Sequence, residues 1–153
     1  MTARLHRMDD TRASVLGRHE WVIESDVQAI TPVVESVQSM CVAAGFSQRH
    51  CRLNIPVSIT EALANAIERG NCDRPTATVR VTVILDESTL CVEVTDEGSG
   101  FDANSIAHSP ADSNWLLRED GRGLFLMRSL MDNVESHCVE CGGHTLKLTL
   151  RRT

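Results

Sequence analysis

The spacing of apolar side chains divides the chain into short runs of two kinds. Residues 1–14 are polar, carry both signs of charge and show no periodicity, which reads as a flexible extension ahead of a domain spanning 15–153. Val15 to Glu24 has a strand-like pattern, and from Asp26 the residues Val27, Ile30, Val33, Val34, Val37, Met40 and Cys41 recur at helical spacing. Asp26 is the N-cap this pattern calls for and Gly45 the stop. A second helix is expected from after Ser47 to Arg69, ending at Gly70 and Asn71, with Pro56 either opening its better half or kinking it.

Thr78 to Leu85 and Leu90 to Thr95 are rich in β-branched residues and flank Asp86-Glu87-Ser88-Thr89, the pattern of a β-hairpin. Residues 102–120 have little apolar periodicity and are rich in turn formers, so they read as a loop of lid length. Gly121 to Met131 is expected to be a helix with a glycine-rich first turn, and Asn133–Cys138 with Thr145–Leu150 a closing hairpin. The order β, α, α, β, β, lid, α, β, β predicts an α/β (α+β) two-layer sandwich: a mixed, mainly antiparallel sheet with helices on one face.

Composition narrows what such a domain can do. The 153 residues fit one core. A formal charge of −6 leaves no basic excess to displace phosphate counterions, which argues against general affinity for nucleic acid. There is no apolar run of the roughly 20 residues needed to span a bilayer, and Met1 to Ser14 is too polar for a signal peptide, so no membrane partner and a cytoplasmic location are expected. Six cysteines in that compartment should be mostly reduced. His137, Cys138, Cys141 and His144 have metal-like spacing, but they flank a Gly-Gly turn with no second ligand pair elsewhere, and an ordinary hairpin is expected there.

Three segments carry candidate chemistry. In Glu61-Ala62-Leu63-Ala64-Asn65 a carboxylate and a carboxamide lie four residues apart on one helical face, a general base and a hard-oxygen metal ligand within one turn. In Asp96-Glu97-Gly98-Ser99-Gly100 a strand ends in an acid that can accept from an exocyclic amine, followed by glycines that let a planar ring approach. In Gly121-Arg122-Gly123-Leu124 glycines open an apolar helix, where free amides and the helix dipole favour phosphate. Taken singly, each has a plainer alternative: a solvated helix face, an ordinary turn, a tight turn before a core helix. Gly98 to Ala103 also satisfies the dinucleotide pattern G-x-G-x-x-A, but its strand belongs to a hairpin and no amphipathic helix follows. Lys147 is the only lysine and sits inside a strand, which excludes a P-loop and the lysine-dependent protein kinase site.

In order and spacing the three segments resemble the N, G1 and G2 boxes of the GHKL ATPases, and the chain from about Val15 to Arg152 looks most like the anti-sigma factor serine kinases of bacterial partner switching. The resemblance implies the GHKL, or Bergerat, ATP-binding fold, with ATP and Mg²⁺ as cofactors and protein serine/threonine kinase activity. It gives Glu61 the role of general base and Asn65 that of Mg²⁺ ligand. Asp96 would read the adenine amine, Gly98 and Gly100 would shape the adenine floor, and Gly121, Arg122, Gly123 and Leu124 would face the phosphates. Residues 102–120 would be the lid, with Arg118 its only cation. The implied partners are a sigma factor and a STAS-type anti-anti-sigma protein whose serine is phosphorylated, together with a possible homodimer. The chain departs from the family pattern in the short Cys72 connection, in Arg69 where histidine is frequent, and in the cysteine-rich final hairpin. These departures bear on the identity of the partners more than on nucleotide binding. Because some relatives only bind and sequester, a second expectation stands beside the kinase, a nucleotide-responsive binding module without significant kinase activity.

Overall fold

Five strands form a single sheet in the order β1-β2-β3-β5-β4. The structure is a computed structural model and describes residues 15–72, 74, 76–98, 119–139 and 142–153. The N-terminal extension, most of the expected lid with Arg118, Gly100 and Cys141 lie outside the described residues. The strands are β1 (Val15–Glu24), β2 (Thr78–Asp86), β3 (Thr89–Asp96), β4 (Asn133–Cys138) and β5 (His144–Arg151). Every neighbouring pair is antiparallel, so the sheet, expected to be mixed and mainly antiparallel, is antiparallel throughout its described strands. The final hairpin inserts β5 between β3 and β4, which brings the ends of β3 and β5 together.

Alternation along the strands gives the sheet a buried face. Val79, Val81, Val83 and Leu85 of β2 are buried, and register places Val83 beside Val92, Val92 beside Leu148, and Leu148 beside Val134. Each such side chain contributes about 1.5–3 kcal/mol when fully removed from water. The opposite face is polar: Glu93, Lys147 and Glu135 form a cross-strand row of alternating charge.

The helices α1 (Ile30–Ala43), α2 (Ile55–Asn65) and α3 (Glu119–Leu130) cover the apolar face. Asp26 does cap, through Gln28 N to Oδ1 at 2.9 Å, but the cap serves a short 3₁₀ turn at Val27–Ala29, so α1 starts at Ile30. Gly45 ends it at φ +84°, a conformation that favours glycine.

The second helix is longer and less regular than its apolar pattern implies. Two π-type turns, His50–Asn54 and Ala66–Gly70, extend α2 at both ends. Pro56 opens the α-helical part instead of kinking it. In the preceding turn Ile55 N–H donates to His50 O. The next donor in that register would be Pro56, which has no N–H, and the Cys51 carbonyl is instead satisfied by Gln38 Nε2 of α1 at 2.6 Å. α2 packs against both α1 and α3. Among the described residues no helix is long and apolar enough to cross a membrane.

Candidate active site

Two clusters of polar side chains lie at opposite ends of the same stretch of helix. The first is where α2 meets α3. Glu61 is half-buried and Asn65, one turn on, is 7% exposed, with its Nδ2 buried and without a hydrogen-bond partner. Gly123 is buried against both: a Cβ there would stand 2.6 Å from Glu61 Oε2 and 3.6 Å from Asn65 Nδ2. Only glycine lets α3 lie this close. Leu124, fully buried, anchors that turn in the core, and Arg122 is exposed. α3 begins at Glu119, two residues before the expected start, so Gly121 and Gly123 fall within its first two turns. A cavity of about 310 Å³ lined by Arg52, Pro56, Val57, Thr60 and Glu61 opens beside the carboxylate. A larger one, about 600 Å³ and including Val42, Phe46 and Cys51, contains none of the expected site residues.

The second cluster surrounds the end of β3. Asp96 is 4% exposed, and its Oδ1 accepts from Gly98 N at 3.0 Å. Gly70, the last residue of the α2 extension, packs directly on Oδ2: a Cβ there would fall 2.1 Å from it. Gly98 in turn lies against Gly70, since its own Cβ would stand 1.3 Å from the Gly70 carbonyl oxygen. Burial pushes the Asp96 carboxyl above its ordinary range, partly offset by the Gly98 N–H, by His144 and by Arg74. A carboxylate has more acceptor positions than the donors it meets here, and an amine delivered by a ligand can fill another.

Asn71, with no exposure, pins the strand end to the helix end. Its Oδ1 accepts from Glu97 N at 2.8 Å, and its Nδ2 donates to Thr78 O at 2.9 Å and Ser25 Oγ at 3.3 Å. The Glu97 carboxylate accepts from Thr78 N at 2.5 Å. The Ala66–Gly70 turn, five residues long, thus links Asn65 in the first cluster to Asp96 in the second.

The structure brings Glu61, Asn65, Gly123 and Leu124 together, and separately Asp96 and Gly98. Gly100 lies outside the described residues. Sequence reasoning missed Gly70, Asn71, Gly143, His144 and Ser136 as the surroundings of Asp96. Gly70-Asn71 read as a helix stop and Gly143 as a turn residue, and their second role depends on long-range register. His144, counted above for its metal-like spacing, is 2% exposed, whereas Cys138 is exposed. Among the described residues no three metal-binding side chains converge.

Comparison with known proteins matches residues 23–150 to the family described as the histidine kinase-like ATPase domain. The chain is 32% identical over 120 residues to an anti-sigma F factor of Bacillus cytotoxicus, covering 75% of this chain and 82% of that one. It is 29% identical over 96 residues to the serine-protein kinase RsbW of Oceanobacillus iheyensis, covering 60% of each. A crystal structure of the RsbU and RsbW domains of a Mycobacterium tuberculosis protein superposes with a TM-score of 0.62 at 18% identity, over 88% of this chain and 32% of that one, which shows the shared fold. The matched span takes in all three helices and strands β2 to β5 apart from the last residue, so the chain belongs to the histidine kinase-like ATPase domain family, among its anti-sigma factor and serine-protein kinase members.

Proposed function

We propose that the chain is a Mg·ATP-dependent serine kinase and anti-sigma regulator of a partner-switching system, in which ATP lies along the Ala66–Gly70 end of α2. The observation that carries this reading is the shared helix: Glu61 and Asn65 face the glycine turn of α3, and its last residue, Gly70, backs the buried carboxylate of Asp96. Asp96 accepts the adenine amino hydrogen bond, with Gly98 and Gly100 as the ring floor. Gly121, Arg122, Gly123 and Leu124 line the phosphate end, where the start of α3 supplies backbone amides and a positive helix dipole.

The buried Asn65 carboxamide fits the phosphate end of the site, because its Nδ2 is a donor without a hydrogen-bond partner, and the oxygen of the same group is the atom that would take a hard cation. Bound there, Mg²⁺ supplies charge neutralisation on the phosphates. Glu61 takes the proton from a partner's serine hydroxyl as that oxygen bonds to the γ-phosphorus. The bond from phosphorus to the β–γ bridging oxygen breaks, and ADP leaves with the electron pair. The protein partners are a sigma factor and a STAS-type anti-anti-sigma protein that supplies the serine. The chain works as a cytoplasmic homodimer.

Calorimetric titration with ATP tests the nucleotide site. Wild-type protein should bind more tightly with Mg²⁺ than with chelator, and Asn65→Ala should lose most of that gain, about tenfold in affinity. Equal affinity with and without Mg²⁺ in wild type would remove Asn65 from the metal site.

A further inference from the structure

β5 opens with a histidine that the proposed roles leave unused. The other inward residues of this strand are Leu146, Leu148 and Leu150, all buried, and an apolar side chain at 144 would complete the row without the cost of burying an imidazole. Register pairs His144 directly with Asp96, and strand alternation points both side chains to the helix-covered face. Ser136, also on the inward face of β4, bonds through Oγ to His144 Nε2.

His144 also acts on the carboxylate of Asp96. Its backbone N–H donates to that group and its ring favours the charged form, both opposing the effect of burial. Gly143, at φ +110°, brings the turn down onto the same residue: a Cβ there would stand 2.4 Å from the Asp96 carbonyl oxygen. Asp96 is therefore held from two sides, by Gly98 and Gly70 on one and by the start of β5 on the other.

We propose that His144, itself oriented by Ser136, is a positioning residue that fixes the Asp96 carboxylate where it accepts the adenine amino group, and so sets the preference for adenine over purines lacking that group. The proposal rests on the assignment of Asp96 to adenine given above. Gly98 N–H donates to Oδ1 and Gly70 packs on Oδ2, so the His144 ring acts on the carboxylate by its charge and its place directly across the strand pair, and a carboxylate free to rotate loses the directed bond without closing the pocket.

The test titrates ATP and ITP, in which a carbonyl oxygen replaces the 6-amino group, with Mg²⁺ into wild type, His144→Leu, His144→Gln and Ser136→Ala. Wild type should prefer ATP. His144→Leu should weaken ATP about tenfold and ITP less than twofold, so that the ratio collapses. His144→Gln, which keeps a donor and a bond to Ser136, should retain most of the ratio, and Ser136→Ala should fall between. ITP affinity doubles as the check that each variant is folded. Equal losses for both nucleotides in His144→Leu would show a merely structural role and overturn the proposal, as would an unchanged ratio. A wild type that does not distinguish ATP from ITP would instead overturn the assignment of Asp96 itself.

Discussion

Replacing Glu61 by glutamine is expected to slow phosphoryl transfer by roughly 10²–10⁴-fold while leaving ATP affinity within about twofold. The substitution keeps the shape of the side chain and removes most of its basicity. The structure explains why the two effects separate. Glu61 sits against Gly123 at the end of the groove formed by Arg52, Pro56, Val57 and Thr60, away from the carboxylate assigned to adenine. Its partner in the reaction is a hydroxyl proton, present only when a substrate has docked. Gly123→Ala gives a second handle, because the added Cβ would come within 2.6 Å of Oε2 and displace the carboxylate without changing its chemistry. Single-turnover transfer and calorimetry on the same preparations check both variants. A Glu61→Gln protein that transfers phosphate at the wild-type rate would exclude Glu61 as the base.

The second large effect concerns Asp96. Asp96→Asn should weaken ATP by roughly tenfold to a hundredfold, since it replaces a charge-assisted acceptor with an amide that can present the wrong end to the adenine amine. It should also raise the melting temperature of the ligand-free protein. Burial lifts the folded-state pKa of this carboxyl above its unfolded value, so folding binds the proton more tightly and favours the neutral group. Its contribution to stability is present below the unfolded pKa and is lost as pH rises through the folded one. At neutral pH the charged form is therefore a cost that asparagine removes. The same shift sets the acid limit of binding: as pH falls, ATP affinity should begin to drop at a higher pH than an ordinary carboxylate of pKa near 4 would give. Thermal melts without nucleotide and titrations across pH check these expectations. A lower melting temperature together with unchanged ATP affinity would contradict both.

How far these features were legible depends on whether they were written locally. The inward row Val79, Val81, Val83 was readable because a period of two is a property of consecutive residues, and the helical stripe from Ile30 to Cys41 was readable for the same reason. Glu61 and Asn65 could be placed on one face because i and i+4 coincide on any helix. The π-type turn ahead of α2 was not readable, since the carbonyl that Pro56 leaves without a donor is met by a side chain of another helix, Gln38. Nor was the support of Asp96. Gly70, Asn71 and His144 reach it only through the packing of α2 on the sheet and the insertion of β5 beside β3, and strand order is not encoded in any single strand. Gly70 read as a helix stop and Gly98 as room for a planar ring, yet the space around them shows that two backbones meet there with no room for a methyl group.

The central claim is that this domain moves the γ-phosphoryl group of ATP onto a serine of a protein partner. The most direct measurement mixes the purified chain, its anti-anti-sigma partner and Mg²⁺ with ATP carrying radioactive phosphorus in the γ-position. Label should appear on the partner's serine, disappear with chelator, and be absent when that serine is alanine. A partner that forms a nucleotide-dependent complex with the chain but stays unlabelled would contradict the kinase account and leave a binding module that senses nucleotide.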